Sequence, residues 1–225
     1  MVVSCYEMVK AYNEIVQGCY SPKVSEAKIK CSRYFNKFLE VKRISIDRFD
    51  ENMFCEYFTK WLPYEICMED IDVITSFYTA TEEYVRLADM LGGTEVVEVF
   101  HGMNSETRYT SSRLMLLKRK VMEFNHSYLI SKMPLIIDFD NYKNKIKDSS
   151  EKVIFDSGQF RVESVFSRNS VVLNKIGMNG YYIRLFFDAE IIKLIEERDI
   201  LDIKIKRDTL NRKWILYEIT GCYTG

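Results

Sequence analysis

The chain has 225 residues, 47% hydrophobic and 14% aromatic, with only 9 Gly and 3 Pro. That composition excludes a disordered or linker-rich protein and leaves room for one large domain or two small ones; two are expected. The formal net charge of −1 excludes a protein that coats nucleic acid by bulk charge alone. The charge is unevenly spread, however: +5 over residues 21–43, −10 over 44–100 and +4 over 101–150.

In chain order, Cys5, Met8, Val9, Tyr12, Ile15 and Val16 fall at helical spacing, and Gly18 follows as a stop. Ser21-Pro22 starts a second helix with Ala27, Cys31, Tyr34, Phe35, Phe38 and Leu39 on its apolar stripe. Asp50 is the expected cap of a third helix, which Pro63 should end because proline has no N–H to donate. A fourth runs from about Glu69 to Leu91 and is ended by Gly92-Gly93, and Val96–Phe100 is ambiguous between helix and strand. A long fifth helix spans Ser105 to about Lys132 through Leu114, Leu117, Val121, Phe124 and Tyr128.

Residues 141–152 read as a linker, dividing a helical domain (1–140) from a β-rich one (153–225). There the period switches to two, and five strands are expected over Gln159–Ser167, Ser170–Ile176, Tyr181–Phe187, Asp199–Arg207 and Lys213–Ile219. A helix capped by Asp188 interrupts them. So many short strands in so few residues favour a closed or nearly closed barrel, making the chain α+β.

No catalytic constellation emerges. The two histidines, His101 and His126, begin no metal or general-base motif, and no phosphate-cradling glycine loop or nucleophile elbow is present. Glu69-Asp70-x-Asp72 sits where negative charge complements a helix dipole, and Asp138-x-Asp140 lacks a third ligand. The six scattered cysteines form no C-x-x-C, so they read as reduced and structural. No metal, cofactor or catalytic residue is expected. With no signal peptide and no apolar run long enough to span a bilayer, the expectation is a cytoplasmic protein without membrane association.

The basic side chains are the candidates for function. Lys28, Lys30, Arg33 and Lys37 on the second helix, with Arg108, Arg113, Lys118, Arg119 and Lys120 on the fifth, are expected to face solvent and contact DNA phosphates. The intervening acidic segment would then have to point away. Tyr181-Tyr182 and Trp214 on the strands are candidates for a base-stacking platform, against the alternative of core packing.

Residues 24–91 resemble the helical, SAM-like core-binding domain on the N-terminal side of phage integrases and other tyrosine recombinases. The likeness rests on Tyr34, Phe35, Phe38 and Leu39, then Phe54, Tyr57, Phe58 and Leu62, then Ile71, Ile74, Phe77, Tyr78 and Tyr84, on three successive helices. It implies helices that clamp duplex DNA. The family's H-x-x-R motif has no counterpart, because the two histidines open His101-Gly-Met-Asn104 and His126-Ser-Tyr-Leu129. The expectation is therefore a non-enzymatic, bacterial-type accessory protein that binds duplex DNA through its helices and another protein through its barrel. The alternative is an interaction module with no nucleic-acid role. Oligomeric state is left open.

Overall fold

The computed structural model describes residues 5–66, 69–132, 153–167, 169–208 and 213–225. The chain is α+β: helices followed by a five-stranded antiparallel sheet. It divides into two compact units, 1–116 and 117–225. The expected linker, 141–152, and the pair Asp138 and Asp140 lie outside the described residues.

The first unit is built from α1 (Cys5–Cys19), α2 (Pro22–Lys42), a 3₁₀ turn (Ile46–Arg48), α3 (Glu51–Glu56), a π turn (Tyr57–Trp61), α4 (Leu62–Glu65), α5 (Ile71–Gly92) and α6 (Val96–Gly102). The apolar stripe of α2 is buried at Ala27, Cys31, Phe35, Phe38 and Leu39. Phe35 lies at the centre of an aromatic cluster, with ring centroids 5.3 Å from Phe49, 5.1 Å from Tyr57 and 5.7 Å from Tyr84. These contacts are edge-to-face, the arrangement favoured by the ring quadrupole. Asp50 caps α3 as expected, its carboxylate accepting from the Met53 amide at 2.8 Å.

Two helix stops differ from expectation. Gly18 lies inside α1, which continues to Cys19. Pro63 does not end the third helical segment; the chain passes into α4 through the π turn, where the Leu62 amide reaches back five residues to the Tyr57 carbonyl. Widening the turn relieves the clash a proline ring makes with the preceding turn, and the Thr59 hydroxyl donates to the Cys55 carbonyl at 2.8 Å. The ambiguous segment at Val96 is helical because Asp89, late in α5, accepts from the amides of Val96 and Val97 at 3.1 and 2.9 Å.

Helix α7 (Ser105–Lys132) begins in the first unit and ends in the second. The sheet holds β1 (Val153–Phe166), β2 (Ser170–Lys175), β3 (Tyr182–Phe186), β4 (Asp199–Asp208) and β5 (Trp214–Thr224) in the order β3-β2-β1-β4-β5, with the short α8 (Ala189–Ile192) between β3 and β4. Asp188 caps α8, accepting from the Ile191 amide at 2.9 Å.

The expected closed barrel is corrected: the sheet is open. Edge strands β3 and β5 come within 8 Å of each other at Cα positions but share no ladder. β1 and β5 are longer than expected and carry bulges, β1 between Val162 and Ser164 and β5 opposite Asp202–Ile205. Bulges bend and coil a sheet without adding the hydrogen bonds that closure needs. The inner face buries Phe160, Val162, Leu173, Ile183, Leu185, Leu201, Ile203 and Ile205.

Candidate functional site

Five lysines of α2 face five carboxylates of the acidic segment. Lys23 meets Asp72 at 2.5 Å, Lys28 meets Glu83 at 2.6 Å, Lys30 meets Glu69 at 2.5 Å, Lys37 meets Glu65 at 2.5 Å and Lys42 meets Glu56 at 2.6 Å. The acidic segment therefore does not turn away from α2; it packs beside it and neutralises its lysines. Most of these pairs are solvent-exposed and contribute at most about 1 kcal/mol each, so their main effect is on the field the helix presents.

Lys28 departs furthest from expectation. It is buried, with its ammonium 4.6 Å from the Tyr20 ring centre, because helix rotation places it over α5 beside Ala27 and Cys31. Glu83 is also an acceptor for the hydroxyls of Tyr20 at 2.9 Å and Tyr12 at 3.3 Å. Burial, and then the charge of Glu83, push the Tyr12 phenol far up. Arg33 is exposed on α2.

On α7, Arg108 is exposed and lies 4.6 Å from the Tyr78 ring centre. Arg113 and Lys118 are buried, correcting the expectation that they face solvent: they fall among Leu114, Leu117 and Val121, on a helix with apolar residues on more than one face. Arg119 pairs with Glu123 at 2.7 Å and Lys120 lies 3.8 Å from the same carboxylate. Lys118, Arg119 and Lys120 belong to the second unit and α2 to the first.

Several of the other candidates for chemistry are also engaged. Glu82 accepts from Arg86 at 2.6 Å and from His101 at 3.0 Å, and these bonds, that from Arg86 foremost, hold its carboxyl below the ordinary range. Glu69 accepts from Tyr34 at 2.8 Å. Burial pushes the Cys31 thiol up. Among the described residues no group of three or more His, Cys, Asp or Glu could hold a metal ion. No described helix is long and apolar enough to cross a membrane.

The outer face of the sheet has a different character. The register aligns Phe166 (β1), Ser170 (β2) and Phe186 (β3) in one row, Ser164, Val172 and Arg184 in the next, and Arg161, Asn174 and Tyr182 in the third. Phe166, Phe186 and Tyr182 are 41%, 55% and 58% exposed. The Arg184 guanidinium lies 5.1 Å from the Phe166 ring centre. Among the described residues neither Arg161 nor Arg184 makes an ion pair with a carboxylate, in contrast to the lysines of α2. At the other end of β1 the same face carries Phe155 and Tyr217, rings 5.7 Å apart, with the Lys206 ammonium 5.2 Å from Tyr217.

Of the expected stacking residues, only Tyr182 is on this outer face. Tyr181 lies near Asp156, to which its phenol donates; burial and then that bond push it up to about 12. Burial works against the Asp156 carboxylate, but hydrogen bonds from Lys175, Tyr181 and the Ser157 amide outweigh it and hold Asp156 below its ordinary range. Trp214 is half-buried under Arg207, 4.8 Å from its ring centre. The signal for the outer face was the alternation Tyr182-Ile183-Arg184-Leu185-Phe186, in which the second and fourth residues are buried.

No family model, no curated protein and no solved structure matches the chain.

Proposed function

We propose that the protein is a non-enzymatic nucleic-acid-binding accessory protein whose contact surface is the outer face of the C-terminal sheet, not α2. The observation that carries this reading is the pair Arg161 and Arg184, exposed guanidiniums without carboxylate partners among the described residues, on the face that carries the exposed rings, Arg184 beside that of Phe166. Phosphate attraction requires cations not already neutralised, and guanidinium suits both phosphate and ring faces. The likeness of residues 24–91 to the recombinase core-binding helices supports a nucleic-acid setting. It does not carry over the duplex clamp, because Lys30 and Lys37 are engaged by Glu69 and Glu65.

The test is anisotropy of fluorescein-labelled duplex and single-stranded DNA at two salt concentrations. Binding should weaken steeply with salt, and Lys30→Ala with Lys37→Ala should leave it unchanged. Loss of binding in those variants would return the site to α2. A second reading, a protein-interaction module with no nucleic-acid role, is favoured by the neutralisation of α2. Absence of salt-dependent binding to either DNA would select it.

A further inference from the structure

We infer that the ligand is a single strand, held with its bases on the rings of Phe166, Phe186 and Tyr182 and its phosphates against Arg161 and Arg184; this rests on the nucleic-acid reading above. Phe166 and Phe186 flank the buried Ser170 in one row, Tyr182 stands across Asn174 from Arg161 in another, and all three rings are exposed to solvent. Strands sit about 4.8 Å apart, and residues two apart along a strand are separated by about 7 Å. That grid alternates ring and guanidinium on the length scale of successive nucleotides.

Single-stranded and not duplex nucleic acid fits this surface because stacking needs the flat face of a base, which in a duplex is covered by its neighbours. A sheet face is also broader than either groove, whereas single strands lie across such faces with rings beneath the bases. Charge complementarity separates nucleic acid from an apolar protein partner. Such a partner would bury Arg161 and Arg184 without acceptors, whereas a phosphate chain supplies one at every step. Of the carboxylates on this part of the sheet, Glu163 accepts from the Asn174 amide at 3.2 Å, and Asp202, opposite Gln159, lies one row from Arg161 without an ion pair to it among the described residues.

Anisotropy with labelled oligothymidine of about 16 nucleotides, and with a duplex of equal length, tests this on the full chain. Wild type should bind the single strand more tightly than the duplex. Phe166→Ala and Phe186→Ala should each weaken single-strand binding about tenfold with an unchanged salt slope, and Phe186→Tyr should retain it. Arg184→Gln and Arg161→Gln should each flatten the slope of log affinity against log salt by about 0.7. Circular dichroism checks that the sheet persists, and the arginine variants serve should a phenylalanine variant unfold. Duplex binding without single-strand binding overturns this inference and leaves the broader reading standing, whereas binding of neither overturns both. Unchanged binding in the folded variants, or a loss of self-association on sedimentation in its place, assigns the face to protein contact and also overturns it.

Discussion

Lys28 and Glu83 meet at 2.6 Å between α2 and α5, the lysine side chain 8% exposed and the carboxylate 32%. The two ends of the pair are therefore unequal. Removing the carboxylate strands a buried ammonium, whereas removing the ammonium leaves a carboxylate that still reaches water and the hydroxyls of Tyr12 and Tyr20. Glu83→Ala should destabilise the helical unit by about 2 to 3 kcal/mol and Lys28→Met by less than about 1.5 kcal/mol. Urea midpoints of the two variants decide the point; equal losses would mean that the ammonium is better hydrated than its burial implies.

Phe35 touches four aromatic neighbours, Phe49, Phe54, Tyr57 and Tyr84, and is fully buried. Phe35→Ala should cost about 3 to 5 kcal/mol, a large part of the about 5 to 15 kcal/mol that stabilises a typical domain. Phe35→Leu, which keeps most of the volume, should cost clearly less in the same denaturation experiment. A loss below about 1 kcal/mol for the alanine variant would show that the cluster can collapse around the gap.

Two glycines should respond in opposite directions. Gly158 in β1 has φ +138, and a Cβ there would lie 3.4 Å from the Lys175 side chain, so Gly158→Ala should destabilise by about 1 to 3 kcal/mol. Gly18 is helical and a Cβ there meets nothing within 4 Å, so Gly18→Ala should stabilise by up to about 1 kcal/mol. Thermal midpoints of the two variants, moving down and up respectively, are the readout.

Asp156 is held below the ordinary carboxylate range, so the folded sheet binds its proton less readily than the unfolded chain does. Its contribution is complete above about pH 4 and is lost as pH falls through the lower folded value. Asp156→Asn should lower stability by about 1 to 2 kcal/mol at neutral pH and leave a shallower decline on acidification. An acid limb as steep as wild type would place the acid sensitivity on other carboxylates.

The elements were legible where a single local signal decided them. Asp50 and Asp188 act as caps, the stripe of α2 is buried at every expected position but the half-buried Tyr34, and the switch from helical to strand period marks the β region. What failed depended on partners distant in sequence or on local geometry that residue type does not encode. The hidden position of Lys28 follows from α5 crossing α2, and the passage through Pro63 from a π turn no propensity encodes. Sheet closure depends on register and bulges, which composition does not carry. The ring face was half legible: Tyr182 was singled out, but beside Tyr181 and Trp214, because adjacent aromatics leave the parity of a strand undecided until one neighbour is known to be buried.

The central position of β1 also bears on how the chain is made. Its two ladders join it to β2, which follows at once, and to β4, whose end at Asp208 pairs with Val153 at the start of β1. During synthesis the helical unit, whose sequence comes first, can assemble from contacts already available, whereas β1 must wait for β4 to emerge. Over that interval the pairing edge of β1 is open, and its length is set by the pace of translation, not by the rate at which the finished chain folds.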